Sequence, residues 1–221
     1  MFTKKTIFQA DLANKTVLVR ADFNVPINDL GVITDDYRIR KALPTIEHIR
    51  SSGAKVVLIS HLGRPANNQD AACSLAPIAN RLEDLLHAQV SFIDDCIGTE
   101  AKQKISEMQP GEVVLLENLR YYPEEEANDM HFAKKLAKGC DIFVQECFGV
   151  AHRAHASIVQ IPKILPSFAG LLLAKEVDTI TEAIHNPRRP LAIIIGGAKI
   201  SDKIELLNLF IDKADYIAVV G

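Results

Sequence analysis

Short apolar runs rich in β-branched residues recur along the chain and constrain its fold more than any other feature. These runs are residues 17–19, 56–59, 113–116, 142–144, 191–195 and 216–220. Each run is continuous rather than alternating, which is typical of strands covered on both faces of a parallel sheet. Segments with helical spacing lie between them. This alternation predicts an α/β fold with a doubly wound, Rossmann-like parallel sheet.

Several helices are predicted between these strands. A stripe of apolar residues from 75 to 86 follows Ser74, which we interpret as the N-cap of that helix. Pro44 is predicted in the first turn of a helix over 45–52. A longer helix is predicted over 169–186, because Pro187 and Pro190 follow it closely.

The proline-rich break after residue 186 also indicates the domain organisation. After it the strand–helix–strand pattern restarts, but two strands and one helix cannot close a core of their own. We therefore predict a complete domain over 1–168, a connecting helix and linker over 169–189, and the beginning of a second α/β domain over 190–221.

Composition excludes several classes of protein. A net charge of −3 argues against nucleic-acid binding, which depends on a basic surface. No apolar run reaches the ~18 residues of a membrane span, and the N-terminus lacks signal-peptide features, so we expect a cytoplasmic protein without a membrane partner. The 4 cysteines show no CxxC pair or zinc spacing, which predicts reduced thiols.

Basic side chains follow four of the predicted strands. Arg20, Arg64, Arg120 and Arg153 come after successive apolar runs, and His61 accompanies the second. In open α/β sheets, ligands bind beyond the carboxyl ends of the strands. A single arginine there is usually a solvated loop charge, but a cluster in an acidic protein repels itself unless an anion fills it. The pattern predicts a site for a small acid with more than one anionic group.

Two further patterns bear on ligands. Asp22 and Asn24 either orient a hydroxyl group and the arginines or simply form an Asx turn. Gly196 and Gly197, followed by Lys199 and Lys203, lie at a strand-to-helix turn where backbone amides can meet phosphate. The alternative is an ordinary glycine-rich turn with exposed lysines. The pattern matches neither GxxxxGK[ST] nor GxGxxG.

Five segments resemble the signature motifs of the phosphoglycerate kinase family, in that family's order. They are RADFNVP at 20–26, SHLGRP at 60–65, ENLR at 117–120, AHRAHAS at 151–157 and GGAK at 196–199. The resemblance spans the whole chain but only about the first half of a family member. It implies an acidic-substrate (3-phosphoglycerate) domain at 1–168 and an incomplete nucleotide-binding domain at 190–221.

The resemblance implies reversible phosphoryl transfer between ATP and the carboxylate of 3-phosphoglycerate, giving 1,3-bisphosphoglycerate. Mg-ATP or Mg-ADP is then the co-substrate of the complete enzyme, with no tightly bound cofactor and no metal ligand in this chain, which we expect to be monomeric. The implied catalytic residues are Arg38 and Lys199. The implied 3-phosphoglycerate contacts are Asp22, Phe23, Asn24, Arg38, His61, Leu62, Gly63, Arg64, Arg120 and Arg153. The implied nucleotide contacts are Gly196, Gly197, Lys199 and Lys203.

The same resemblance implies that the long helix is an interdomain hinge, and that the chain alone binds 3-phosphoglycerate without turning over ATP. One segment departs from the family pattern: Gln145, Glu146 and Cys147 stand where Asn-Asp-Ala is usual. We interpret Cys147 as a packed residue, the alternative being a redox-sensitive thiol.

Two other interpretations of the chain remain open at this point. One is a non-catalytic binding module for a small phosphorylated acid, which would use the same arginines. The other is a dehydrogenase-like nucleotide fold, which would lack its glycine fingerprint after the first strand.

Overall fold

The computed structural model describes residues 3–67, 70–196 and 204–220, without the side chains of Glu205 and Leu206. The chain forms two compact units: Lys4–Ala174, and Lys175–Gly221 together with Met1–Thr3. The boundary between the units falls within the connecting helix.

The larger unit is built on a six-stranded parallel sheet, with strands in the order β3-β4-β2-β1-β5-β6. The strands are β1 (Thr16–Arg20), β2 (Lys55–Ile59), β3 (Val90–Ile93), β4 (Val113–Leu116), β5 (Ile142–Gln145) and β6 (Ser167–Ala169). The four strands predicted for this domain are β1, β2, β4 and β5, which lie side by side in the centre. The outer strands β3 and β6 were not predicted.

Helices cover both faces of this sheet, which confirms the predicted doubly wound α/β class. They are α1 (Tyr37–Ser51), α2 (Ala76–Leu86), α3 (Thr99–Glu107), α4 (Pro123–Glu126) and α5 (Met130–Leu136). The connecting helix is α6 (Leu171–His185), whose first turn belongs to this unit. Short 3-10 turns and one π-helical turn, Ala156–Gln160, make up the remaining helical segments described in this unit.

Alternate strand residues enter two separate cores. Val17 and Val19 of β1 pack with α1 and α2 on one face. Leu18, between them, packs with α3 and α5 on the other face. Because both sets are buried, the interior positions of the central strands are consecutively apolar, and this produces the continuous runs in the sequence.

The prediction that Pro44 opens its helix is wrong. Helix α1 begins at Tyr37, and Pro44 lies in its interior. Proline removes one donor of the helical ladder, but the apolar face of α1 is buried on both sides of it: Ile39, Ala42 and Ile46 lie in the core. This packing stabilises the helix over the seven residues before the proline.

The N-cap prediction for α2 is wrong by one residue, because Leu75 occupies that position. Ser74 nevertheless serves the first turn: its Oγ accepts the Ala76 N–H at 3.2 Å and donates to Glu117 Oε2 at 2.7 Å. Glu117 Oε1 accepts the Leu75 N–H at 2.8 Å. A buried carboxylate from the end of β4 therefore holds the start of α2.

A second buried carboxylate holds the start of α6. Glu146 Oε1 accepts from Leu172 N at 3.1 Å and Oε2 from Leu173 N at 3.3 Å. The Thr45 hydroxyl donates to the same carboxylate and accepts the Leu171 N–H at 2.9 Å. These bonds satisfy amides that a helix leaves unpaired in its first turn, so the unusual Glu146 anchors the connecting helix.

The smaller unit contains β7 (Ala192–Gly196), α7 (Ile204–Ile211) and β8 (Tyr216–Val220), with β7 and β8 pairing in parallel. The sequence predicts strands covered on both faces, and this is wrong for β8, whose residues are all exposed. Two strands and one helix offer too little surface to cover them. No helix within the described ranges combines the length and apolarity that crossing a membrane requires.

The contact between Gly170 and Glu146 makes Gly170→Ala destabilising. A Cβ at residue 170 would lie 1.9 Å from Glu146 Oε2 and 2.5 Å from its Cδ, and the buried, hydrogen-bonded carboxylate cannot swing aside. We expect the free energy of unfolding to fall by about 1–3 kcal/mol, as for other overpacked sites, measured by urea titration followed by circular dichroism.

Gly149→Ala is the matched control, because its Cβ would meet Asp22 Oδ2 at an ordinary 3.4 Å. Shortening the acid in Glu146→Asp makes room at residue 170. The Glu146→Asp/Gly170→Ala double variant should therefore lose less stability than the sum of the single variants. Additive losses would contradict this account.

Candidate functional site

The four central strands deliver their polar residues to one edge of the sheet. Because β4, β2, β1 and β5 are parallel neighbours, the segments that follow them meet beyond their carboxyl ends. The basic residues gathered there are Arg20, His61, Arg64, Arg120, Arg153 and His155. We call this set the basic rim.

The electrostatics of Arg120 reflect this proximity. Its side chain is 7 % exposed, and burial is the largest cause that lowers its pKa. Glu126, whose Oε1 lies 3.2 Å from Arg120 Nε, opposes the shift, while the cations Arg153, Arg20 and Arg64 lower the pKa further. Positive charge is thus concentrated at the rim in excess of the carboxylates that face it.

Asn118 holds the loop that carries His61 and Arg64. Its Oδ1 accepts from Leu62 N at 3.3 Å and Arg120 N at 3.0 Å, and its Nδ2 donates to Leu62 O at 2.7 Å and Cys73 O at 2.8 Å. Asn118 belongs to the ENLR segment but was not among the predicted site residues. The available signal in the sequence was an amide side chain two residues before a rim arginine.

Gly63 connects two sides of the rim through its backbone. Its N–H donates to Asn24 Oδ1 at 2.9 Å, and its carbonyl accepts from Arg120 Nη1. Gly63 has φ +59°, and a Cβ there would lie 2.9 Å from Cys73 Sγ, so the position favours glycine on both counts. Hydrogen bonds therefore connect the loops that follow β1, β2 and β4 through Asn24, Gly63 and Arg120.

Asp22 positions Arg38 at the same edge. Asp22 Oδ2 lies 2.7 Å from Arg38 Nη1, and the Arg38 side chain remains 50 % exposed. Asp22 Oδ1 also accepts the Asn24 N–H at 3.2 Å. The Asx turn and the arginine contact, which the sequence left as alternatives, occur together.

Arg20 differs from the other rim arginines because it is 1 % exposed and bonded inward. It donates to Ala21 O at 2.5 Å, Ser157 Oγ at 3.3 Å and His61 Nδ1 at 3.1 Å. The sequence grouped Arg20 with the anion-facing arginines. That grouping is wrong for Arg20, because its guanidinium group bonds to His61 and Ser157 inside the protein.

Phe23 and Leu62, predicted as substrate contacts, have their side chains in the core at 0 % and 4 % exposure. Their N–H groups are also occupied, by Ser60 Oγ at 2.9 Å and by Asn118. Neither the side chain nor the N–H group of these two residues is therefore free for a ligand in this structure, and their predicted substrate contacts stay a prediction. Arg64 is exposed and Arg153 partly exposed, and within the described ranges neither forms an ion pair.

The predicted nucleotide residues fall mostly beyond the described structure. Gly197, Lys199 and Lys203 lie outside the described residues. Gly196 ends β7, where a Cβ would lie 2.6 Å from Val220 Cγ2. The close approach of β8 is thus a structural reason for glycine at that position.

All four cysteines are free, and Cys147 is fully buried. Burial is the main cause that raises its pKa to about 11, with a smaller opposing effect from Arg20. A buried thiol that stays protonated at neutral pH is a weak nucleophile, which favours the interpretation of Cys147 as a packed residue.

The fold and the basic rim together define a class: α/β proteins with an anion-binding edge at the carboxyl ends of a parallel sheet. Comparison with known proteins then gives the family. A model of the family described as "Phosphoglycerate kinase" matches residues 7–221. The chain belongs to the phosphoglycerate kinase family.

Individual relatives agree with this assignment. The chain is 51 % identical over 218 residues to the phosphoglycerate kinase of Desulforudis audaxviator, covering 99 % of this chain and 56 % of the relative. It is also 51 % identical over 221 residues to that of Dictyoglomus turgidum, covering 99 % and 55 %.

Solved structures agree as well. Phosphoglycerate kinase from Coxiella burnetii superposes with a TM-score of 0.84 at 39 % identity, covering 99 % of this chain and 55 % of that one. The enzyme from Pyrococcus horikoshii superposes with a TM-score of 0.88 at 34 % identity, covering 98 % and 55 %. The chain thus spans about half the length of the relatives it matches, and the matched part is N-terminal.

The buried imidazole of His61 makes stability depend on pH. Burial is the largest cause that lowers its pKa to about 2, and Arg20, Arg120, Arg153 and His155 lower it further. Below about pH 6.5 the unfolded chain binds a proton at His61 that the folded chain does not. The stability that the neutral His61 side chain gives to the folded state is therefore fully present above pH 6.5. As the pH falls below 6.5, the free energy of unfolding decreases by up to about 1.4 kcal/mol per pH unit.

Urea unfolding at pH 5.0, 6.0 and 7.5, compared with His61→Gln, tests this assignment. Glutamine keeps an acceptor for Arg20 but does not titrate. The variant should lose less stability on acidification than the parent by about one proton's slope. Parallel pH profiles for the two proteins would refute the assignment.

Proposed function

We propose that this chain provides the 3-phosphoglycerate-binding half of a phosphoglycerate kinase. The enzyme would transfer a phosphoryl group reversibly between ATP and the carboxylate of 3-phosphoglycerate, forming 1,3-bisphosphoglycerate in glycolysis and gluconeogenesis. The observation that carries the proposal is the basic rim: cationic side chains at the ends of four adjacent parallel strands, in a chain of this family. We further propose a cytoplasmic, monomeric enzyme.

The rim suits a substrate with a phosphate and a carboxylate. Arg64 and Arg153 have no ion-pair partner within the described ranges, and charge-assisted bonds to an anion contribute about 1.5–3 kcal/mol each. Arg120 is held toward the same edge by Gly63 and Glu126. We assign His61, Arg64, Arg120 and Arg153 to anionic groups of the substrate, and Asp22 and Asn24 to its hydroxyl group and to the orientation of Arg38.

Arg38 has the features of a group that acts on the transferring phosphoryl. One guanidinium nitrogen pairs with Asp22, while half of the side chain remains exposed. Phosphoryl transfer needs positive charge around the equatorial oxygens and accurate positioning more than it needs a covalent nucleophile. Arg38 would therefore act mainly in the transition state.

We assign the nucleotide side to the smaller unit. Gly196 and Gly197 would allow close backbone approach, and Lys199 and Lys203 would meet the phosphates of Mg-ATP or Mg-ADP, which binds as a co-substrate. The helix α6 would be the hinge whose closure brings the substrates together and excludes water. The exposed apolar strands β7 and β8 support the view that these 221 residues alone do not turn over ATP.

Calorimetric titration of the chain tests the substrate assignment. We expect 3-phosphoglycerate to bind, and ADP to bind far more weakly. Arg64→Ala and Arg153→Ala should each weaken 3-phosphoglycerate binding about 10-fold or more, because each removes a charge-assisted bond. Added salt should weaken binding as well.

Arg40→Ala is the matched control for this titration. It removes one positive charge from α1, where the Arg40 side chain pairs with Asp36 and is 53 % exposed. This variant should leave the affinity for 3-phosphoglycerate almost unchanged. The absence of binding to 3-phosphoglycerate would overturn the proposal, and ATP turnover by the purified chain, free of host enzyme, would overturn the expected inactivity.

The role of Arg38 requires the complete enzyme. There, Arg38→Ala should lower kcat by about 10²–10³-fold, as for loss of one transition-state donor, with a much smaller change in 3-phosphoglycerate binding. Arg40→Ala on the same helix is again the control. Equal losses of kcat and of affinity in Arg38→Ala would show a binding role instead.

A further inference from the structure

A buried polar chain runs from Glu125 through Ser157 and Arg20 to His61. The Ser157 N–H donates to Glu125 Oε2 at 2.9 Å, and its hydroxyl donates to Glu125 Oε1 at 2.5 Å. Arg20 Nε donates to Ser157 Oγ at 3.3 Å, and Arg20 Nη2 lies 3.1 Å from His61 Nδ1. All four residues are at most 5 % exposed. Segments far apart in the sequence thus form one buried network that includes two members of the basic rim, Arg20 and His61.

The chemistry of arginine determines the protonation of the His61 ring. A guanidinium group carries N–H donors and no acceptor, so His61 Nδ1 must be the acceptor of the Arg20 bond. A neutral imidazole that accepts at Nδ1 carries its proton on Nε2. In the part of the chain that the structure describes, no hydrogen bond to Nε2 is formed. That N–H is the one left for a ligand.

The surroundings of His61 keep the ring neutral. Burial disfavours the charged form first, and the cations that face the ring add to this: Arg20 from β1, Arg120 after β4, and Arg153 with His155 after β5. The buried carboxylate of this network, Glu125, accepts both hydrogen bonds that Ser157 donates, with His155 Nδ1 at 3.9 Å from its Oε1. The largest influences on the pKa of His61 are burial and these basic groups, and no carboxylate is among them.

We propose that Arg20, Ser157 and Glu125 are positioning residues that hold His61 as the neutral Nε2–H tautomer, so that it donates a hydrogen bond to an anionic oxygen of the substrate. Glu125 orients Ser157, Ser157 orients the Arg20 guanidinium, and Arg20 excludes the other tautomer. The donor role toward substrate rests on the proposed function, whereas the tautomer does not. The rim thereby gains a donor that does not change charge between pH 5 and pH 8.

Long-range ¹H–¹⁵N correlation spectra of the ¹⁵N-labelled chain test the tautomer without any ligand. The His61 signals are assigned by their disappearance in His61→Gln. We expect one protonated nitrogen, Nε2, and one unprotonated nitrogen, Nδ1, with shifts that stay constant from pH 5 to pH 8. An Nδ1–H tautomer, or titration of His61 within that range, would overturn the proposal even if the Ser157 and Glu125 variants failed to fold.

Variants test the two residues that act through Arg20. Ser157→Ala removes the bridging hydroxyl, and Glu125→Gln removes the charge that orients Ser157. Both should produce a mixture of His61 tautomers. Glu124→Gln is the matched control: it removes the same charge one residue before Glu125 in α4, at an exposed position, and should leave a single tautomer. If all three variants retained the single tautomer, Ser157 and Glu125 would have no positioning role.

Addition of 3-phosphoglycerate separates this proposal from the proposed function. We expect the His61 Nε2–H proton signal to shift at saturation. If calorimetry detects binding and that proton does not move, His61 is not the donor. If calorimetry detects no binding while the tautomer is as expected, the proposed function fails and the tautomer assignment stands.

Discussion

The candidate site depends on one constraint: the parallel direction of the central strands. Because β4, β2, β1 and β5 all run the same way side by side, every segment that leaves the sheet at a carboxyl end leaves at the same edge. Four loops that are far apart in the sequence therefore lie close together in space. An antiparallel arrangement would place half of the arginines at the opposite edge.

Buried carboxylates then fix the positions of the segments that converge at this edge. Glu117 holds the start of α2, Glu146 holds the start of α6, and Glu125 holds Ser157 beneath Arg20. Each is at most 6 % exposed and is surrounded by donors, which offsets the cost of removing a charge from water. The segments that carry the cations of the basic rim are accordingly held in place by buried acids.

Much of the fold was predictable because the central strands are buried on both faces. Their runs, such as residues 56–59, are apolar at every position, a pattern that few other structures produce. Strand β3 was missed because Ser91 and Phe92 lie at the sheet edge and only its ends are fully buried. Strand β6 has only three residues, two of them partly exposed. Pro44 was misassigned because tertiary packing of Ile39 and Ile46 outweighs one missing helical bond.

For the site, the sequence by itself determined which residue types reach the sheet edge, because strand position and the residues after each strand are local properties of the chain. Only the tertiary structure decided their roles. Arg20 and Arg64 look alike in sequence, yet one is bonded inward to Ser157 and His61 and the other is exposed to solvent. The difference arises from packing between segments more than 100 residues apart, and such distances are outside the reach of any local pattern.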